Sequence, residues 1–328
     1  MNPIFTKRYI TSLVVLLFIS CHPIEGQSVG LKPVSEPTIF GPGVISTGDY
    51  EVCPTLSPDG STFYFVRSTP DANFWTIVFS QYKVGKWNAP QVAPFSGQYS
   101  DADEFITRDG TQMFFISRRP VSGDISPNAD GKLDIWVMEK TGSGDWGEPR
   151  NLGRPVNSDA NEYYPTVAAN GTLYFGSRRK GGKGGTDIYR SRLVNGKYQE
   201  PENLGEAINT EFDEFEPYIA PDESFMIFMA GGRPDSLGGY DFYISYNRNG
   251  QWTKAKNLGA PINSSADEYS AKISPDGKYF FWASARSTID KPRSKSWNLG
   301  QLSDAFHSPG NGLGDIYYID LSALKIER

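Results

Sequence analysis

A block of about fifty residues recurs five times along this chain of 328, and that repeat restricts the fold more than any other feature. Glu51, Glu104, Glu162, Glu214 and Glu268 each open a block, at spacings of 53, 58, 52 and 54 residues. A small residue or Pro follows three places on, as in Glu51-Val-Cys-Pro54 and Glu214-Phe-Glu-Pro217. Next comes a turn and an apolar run: Ser57-Pro-Asp-Gly60 before Phe63-Tyr-Phe65, and Ser274-Pro-Asp-Gly277 before Tyr279-Phe-Phe281. Asp-Gly between alternating apolar runs marks a hairpin, because both residues tolerate positive φ. A third run opens on Asp (Asp134, Asp187, Asp241, Asp315), and a fourth carries Trp or Tyr followed by Asn-Leu-Gly at 151–153, 203–205 and 257–259. Four short strands per repeat predict a propeller blade, and the 3.6-residue periodicity of a helical repeat is missing.

The fold class is therefore all-β: a β-propeller of five blades, each of four antiparallel strands. The fifth block ends after its third strand, at Asp315 to Leu321, so its outer strand must come from elsewhere. The segment Phe40 to Ser46 lies 11 residues before Glu51, where Leu152, Leu204 and Leu258 lie 10 before their own Glu, and it is expected to pair into the last blade and seal the ring. Closure of this kind removes open sheet edges.

The blocks Ser-Pro-Asp-Gly (57–60, 274–277), Phe-x-Ser-x-Arg (115–119, 175–179) and Gly-Gly-x-Asp-Ile-Tyr (184–189) resemble the WD40-like Pro-Asp propeller repeat. That repeat is known from TolB and from propellers joined to OmpA-like domains in the Bacteroidota. The resemblance covers residues 38–321 and implies the fold, leaving the function open.

Lys7 and Arg8 precede the apolar run Ser12–Ser20, which is too short to span a bilayer and ends at Cys21. This start resembles a bacterial lipobox, with Cys21 lipidated. The expected organisation is a signal peptide at 1–20, a lipidated tether at 21–36 and the propeller at 37–328. Net charge is −6, and −8 once Lys7 and Arg8 are removed, with no basic cluster to bind nucleic acid. Two cysteines exclude a disulfide framework and a Cys/His zinc site, and Cys53 reads as a small buried apolar residue.

Residues repeated blade by blade read as structural. Arg119, Arg179, Arg233 and Arg286 are expected to pair with the acid of their own hairpin. Function should sit where blades differ. Blade 2 carries Ser126-Pro-Asn128-Ala-Asp130-Gly131-Lys-Leu-Asp134, which suits either a calcium hairpin loop through Asn128, Asp130 and Asp134 or a solvated turn. Calcium is the one cofactor the sequence suggests. The last blade carries the longest insertion, 287–314, with Arg293, Trp297 and His307. No nucleophile elbow, zinc-protease motif or phosphate loop is present.

The expected function is a lipid-anchored, non-catalytic binding or scaffold module for an envelope protein or polysaccharide, at the outer membrane facing the periplasm. The lack of enzyme motifs weighs against catalysis. The alternative is a glycoside hydrolase or polysaccharide lyase with a channel-end pocket lined by Arg67, Glu216 and Arg293.

Overall fold

The computed structural model describes residues 30–121 and 131–327. Strand pairing divides them into five antiparallel sheets, one per blade, and a separate two-stranded hairpin, Leu193–Val194 with Lys197–Tyr198. Taken from the inner strand outwards, blade 1 is Tyr50–Leu56, Thr62–Ser68, Trp75–Lys83 and Gln91–Val92. Blade 2 is Asp101–Ile106, Gln112–Ser117, Asp134–Glu139 and Arg150–Asn151. Blade 3 is Glu162–Val167, Leu173–Ser177, Asp187–Ser191 and Glu202–Asn203. Blade 4 is Asp213–Ile219, Phe225–Gly231, Tyr240–Arg248 and Lys256–Asn257. Blade 5 is Glu268–Ile273, Tyr279–Ser284 and Asp315–Asp320, completed by Thr38–Ile39 from the start of the chain. The five blades of four antiparallel strands are those the repeat predicts.

Ring closure follows the expected route with a small shift. Thr38 and Ile39 pair with Tyr318 and Tyr317, and Phe40 N donates to Ile316 O at 2.7 Å. The residues Phe40 to Ser46 form the bend after the strand. Ser46 Oγ bridges both Ile316 N and Ile316 O, as the Asn263 side chain bridges Phe242 in blade 4. One extra residue in this bend accounts for the spacing of 11. Leu31 and Val34 already pack against the seam of blades 5 and 1, so the docked chain begins before the tether boundary expected at 36.

The apolar cores lie between neighbouring sheets. One links blades 1 to 3, one fills blades 4 and 5, and smaller ones close the 5–1 and 3–4 seams. Antiparallel alternation gives the ring two distinct ends. Turns between the first and second strands, and between the third and outer strands, lie at one end, called here the turn end. Second-to-third connections and blade-to-blade connections lie at the other, the loop end. Both insertions join a second strand to a third, so the described residues that bound them lie at the loop end. The N-terminal segment leaves at the turn end, where Val34 pairs with Asp320 and Gly30 lies against Tyr82.

A belt of buried acids binds each blade to the next. Glu51, Glu162, Glu214 and Glu268 each accept from the backbone N–H and the hydroxyl of Thr47, Ser158, Thr210 or Ser264, with the hydroxyl at 2.6 Å in every case. Each also meets an arginine: Arg67 at 3.3 Å, Arg179 at 3.2 Å, Arg233 at 2.8 Å and Arg286 at 3.4 Å. In blade 2 the belt acid is Asp101, 2.9 Å from Arg119, and not Glu104. The register read from the repeat is corrected accordingly: Asp101 pairs with Ser117 as Glu162 pairs with Ser177. Glu104 falls three places on, where blades 1, 3 and 4 have Pro.

The Gly-Gly-x-Asp motif has a steric origin. A Cβ at Gly184 would come within 1.6 Å of Phe212 O, so the second-to-third loop of blade 3 lies directly on blade 4. Asp187 ties that loop together by accepting from Lys183 N and Gly184 N, and takes a third bond from Asn203 of the outer strand.

Candidate functional site at the loop-end mouth of the channel

Every inner strand bulges at one equivalent residue, and these five residues meet around the axis: Cys53, Asp103, Tyr164, Glu216 and Ser270. All have positive φ, between 47° and 62°. A bulge breaks the in-and-out alternation of a strand and re-aims its side chain. The contacts cross blades. Cys53 Sγ is 3.2 Å from Asp103 Oδ1 and 3.5 Å from Ser270 Oγ. Asp103 Oδ2 accepts from Tyr164 N at 2.9 Å, and Glu216 Oε2 accepts from Ser270 N at 2.5 Å. Two carboxylates therefore serve backbone N–H groups of the following blade.

Next to this ring lie Glu104 and Lys272. Glu104 is fully buried, and no other described residue hydrogen-bonds its carboxylate oxygens. Lys272 Nζ is buried without a hydrogen bond and rests 4.1 Å from the centroid of Tyr164 and 5.2 Å from that of Phe105. Burial pushes Lys272 down to about 8, against the opposing pull of Cys53, Glu104, Asp103 and Glu216. Burial holds Asp103 and Glu216 above the ordinary carboxylate range and Glu104 well above it; Asp103 adds to the shift of both glutamates. It also raises the Cys53 thiol, favouring its protonated form. The axis is plugged by side chains at this level.

On the loop-end side of the plug, half-buried aromatic rings gather beside Glu216, itself a half-buried member of the plug, close enough for its charge to bear on Tyr50 and Tyr240. Tyr163 and Phe215 have centroids 6.2 Å apart, Phe215 and Tyr240 6.1 Å, and Tyr240 and Tyr269 6.4 Å. Tyr50 continues the arc beside Tyr269, whose hydroxyl donates to Asp267 at 3.0 Å. The arc is possible because Gly231 has no side chain: a Cβ there would lie 2.5 Å from the Tyr240 ring. Arg178 stands over Tyr163 at 5.9 Å, and Gly314, the last residue of the insertion, lies against Tyr50 and Val52. A carboxyl group inside an arc of aromatic edges and faces can hydrogen-bond a polar group while the rings cover an apolar one.

The candidate residues read from the sequence separate in space. Glu216 is central to the mouth. Arg67 is committed to Glu51 and to Asp49, the latter at 3.5 Å. Arg293 stacks on Trp297, 3.6 Å from the ring centroid, and donates to Ile289 O. His307 is exposed at the C-terminus of the helix Leu299–Phe306, where its Nδ1 lies 2.7 Å from Ser303 O. Of the proposed calcium ligands, Asn128 and Asp130 lie outside the described residues. Asp134 accepts from Asn151 at 2.9 Å, as Asp187 and Asp241 do from their own Asn. Among the described residues, no group of three or more His, Cys, Asp or Glu side chains is placed to hold a metal ion.

Sequence reasoning missed Asp103, Glu104, Lys272 and the aromatic arc. The signal available was variation at fixed block positions: the second residue after the belt acid is Cys, Asp, Tyr, Glu or Ser, and such non-repetition in a regular repeat marks a special environment.

No protein-family model matches the chain, and no curated protein matches it. Solved structures do match. A TolB-type protein of Agrobacterium tumefaciens is 15% identical, with 83% of this chain and 90% of that one covered, at a TM-score of 0.47. An α-L-arabinofuranosidase from Lactobacillus brevis is 13% identical, covering 85% and 91%, at 0.47. The catalytic domain of an α-L-arabinofuranosidase from Coprinopsis cinerea is 10% identical, covering 88% and 95%, at 0.47. These likenesses concern the propeller architecture, which the strand pairings of this chain give independently.

Proposed function

We propose that this chain is a lipid-anchored propeller of the bacterial cell envelope, tethered through Cys21 to the outer membrane and facing the periplasm. It acts as a non-catalytic binding module for an envelope protein or polysaccharide. The observation that carries the reading is the aromatic arc around Glu216, at the end of the ring that bears both long insertions. The plug beneath keeps a ligand at the mouth and out of the channel. The arc favours a ligand with alternating apolar and hydroxyl or amide surface, such as a sugar face or an extended peptide.

The test is retention of envelope proteins and of an array of acidic and neutral polysaccharides by the chain from residue 30 onward. Phe215→Ala and Tyr269→Ala variants are compared with it, and folding is checked by thermal melts. Retention of one class that falls roughly tenfold or more in both folded variants is the expected result, as for central aromatic anchors. Retention unchanged in both would remove the mouth as the binding site.

A second reading has one observation in its favour. Glu216 is half-buried, and burial with the nearby Asp103 raises its carboxyl to about 8, the property of a general acid in glycoside hydrolysis. Turnover of a bound glycan, abolished in Glu216→Gln while binding is kept, would establish that reading in place of the first.

A further inference from the structure

Three hairpins at the turn end have two central residues at positive φ. Asn195 and Gly196 have φ of 50° and 74°, and Asn249 and Gly250 have 57° and 84°. Asn-Gly is the pair this turn prefers. The hairpin of blade 1 has Val84 and Gly85 in the same positions, at 51° and 80°. A β-branched residue in the left-handed region is a backbone outlier. Val84 is also 100% exposed, so packing among the described residues does not recover the cost. An outlier of this kind, in an otherwise regular series, points to a use outside the fold.

Three further observations identify that use. Exposed Lys83 and Lys86 flank Val84, making a basic-apolar-basic tip on a chain that is acidic overall. The base of the hairpin is rigid. Tyr82 and Trp87 meet edge-on at 5.2 Å, and Trp87 packs on Phe40 of the closing segment at 5.7 Å. Finally, Gly30 lies against Tyr82 of this same hairpin. Cys21 precedes Gly30 by nine residues, a reach of about 30 Å at most. The tip therefore stands where a chain anchored at Cys21 joins the ring. On the same end, Leu193 and Val194 are 41% and 47% exposed, between Arg192 and Lys197.

We infer that the turn end is a membrane-docking surface, in which Val84 enters the interfacial layer of a bilayer and Lys83 and Lys86 meet its anionic head groups. The inference deepens the envelope-anchored reading and rests on it for the position of the membrane. The apolar residue supplies a shallow insertion and the lysines a salt-sensitive attraction. Docking fixes the ring upright, with the loop-end mouth directed away from the bilayer.

The test uses the chain from residue 30 onward, which holds all five blades and the closing strand but no lipid. Sedimentation is measured with vesicles of phosphatidylethanolamine and phosphatidylglycerol, and with phosphatidylcholine alone. Binding to the anionic vesicles is expected, weakening with salt and dropping roughly fivefold for each of Lys83→Ala and Lys86→Ala. Val84→Asn gives the turn its preferred residue, so it should melt at a higher temperature than the wild type and yet bind vesicles several-fold more weakly. Absence of binding by the wild type, or undiminished binding by Val84→Asn, overturns the inference. Fatty-acid labelling of Cys21 in cells tests the anchor separately. Labelled Cys21 with no vesicle binding overturns the docking surface alone, whereas vesicle binding without label supports it and removes the anchor.

Discussion

Glu104 and Lys272 are buried together on the axis with no hydrogen bond between them or to any other described side chain, and burial shifts each towards its neutral form. For Glu104 the folded pKa lies above the unfolded one. Its contribution to stability is complete below the ordinary carboxylate value and is lost as pH rises above it. Glu104→Gln does not titrate, so its stability relative to wild type should grow from about pH 4.5 upward, by at most about 1.4 kcal/mol per pH unit. Denaturant unfolding at several pH values checks this, and a flat difference would rule it out. Lys272 has the opposite sign. Its folded pKa is near 8 against 10.5 unfolded, so stability falls as pH drops from 10.5 to 8. Lys272→Met should lose that slope.

The belt acids act differently, because each has a charged partner. Glu162→Ala leaves Arg179 without its carboxylate, and the arginine side chain is only 14% exposed. The expected loss is about 3–5 kcal/mol in denaturant unfolding. This pairing was legible from sequence, since an arginine and an acid recurred at fixed block positions. The position of Glu104 was not. The run Asp101-Ala-Asp103-Glu104 offers three acids within four residues, and residue identity favoured Glu where register selects Asp.

At the scale of elements, the closing segment carries the seam. Phe40 is 3% exposed and meets Phe63 at 4.6 Å, Phe281 at 5.3 Å and Tyr318 at 5.7 Å. Phe40→Ala should cost about 3–5 kcal/mol, read as a lower denaturation midpoint with unchanged slope. A change below about 1 kcal/mol would mean that closure relies on Thr38 and Ile39 alone. The blades themselves were legible because the Asp-Gly turns and alternating apolar runs act locally. The aromatic arc was not, because its rings come from four blades and reach one another only once the ring is closed. The half-exposed Tyr and Phe that form it look like ordinary strand residues in sequence. The insertion at 287–314 was visible as a departure from the repeat, yet its helix Leu299–Phe306 was not anticipated. That helix is short and depends on the reciprocal cap between Asn298 and Gln301.

The whole molecule is a ring whose two ends differ in kind. The loop end has the long insertions, the aromatic arc and Glu216. The turn end has the N-terminal exit, tight hairpins and the Lys83-Val84-Gly85-Lys86 tip. A side-chain plug separates them, so a ligand at one end does not reach the other through the channel. This division accounts for the long loops gathering on one face of a regular repeat, and for the one strained apolar hairpin lying on the other. The most direct test of this division between the two ends is depth in the bilayer. The full-length protein is reconstituted in vesicles carrying a lipid-borne quencher, with a single fluorophore at Lys197→Cys on the turn end or at Ser294→Cys on the loop end. Strong quenching is expected at 197 and little at 294. Equal quenching at the two positions, or stronger quenching at 294, would contradict it.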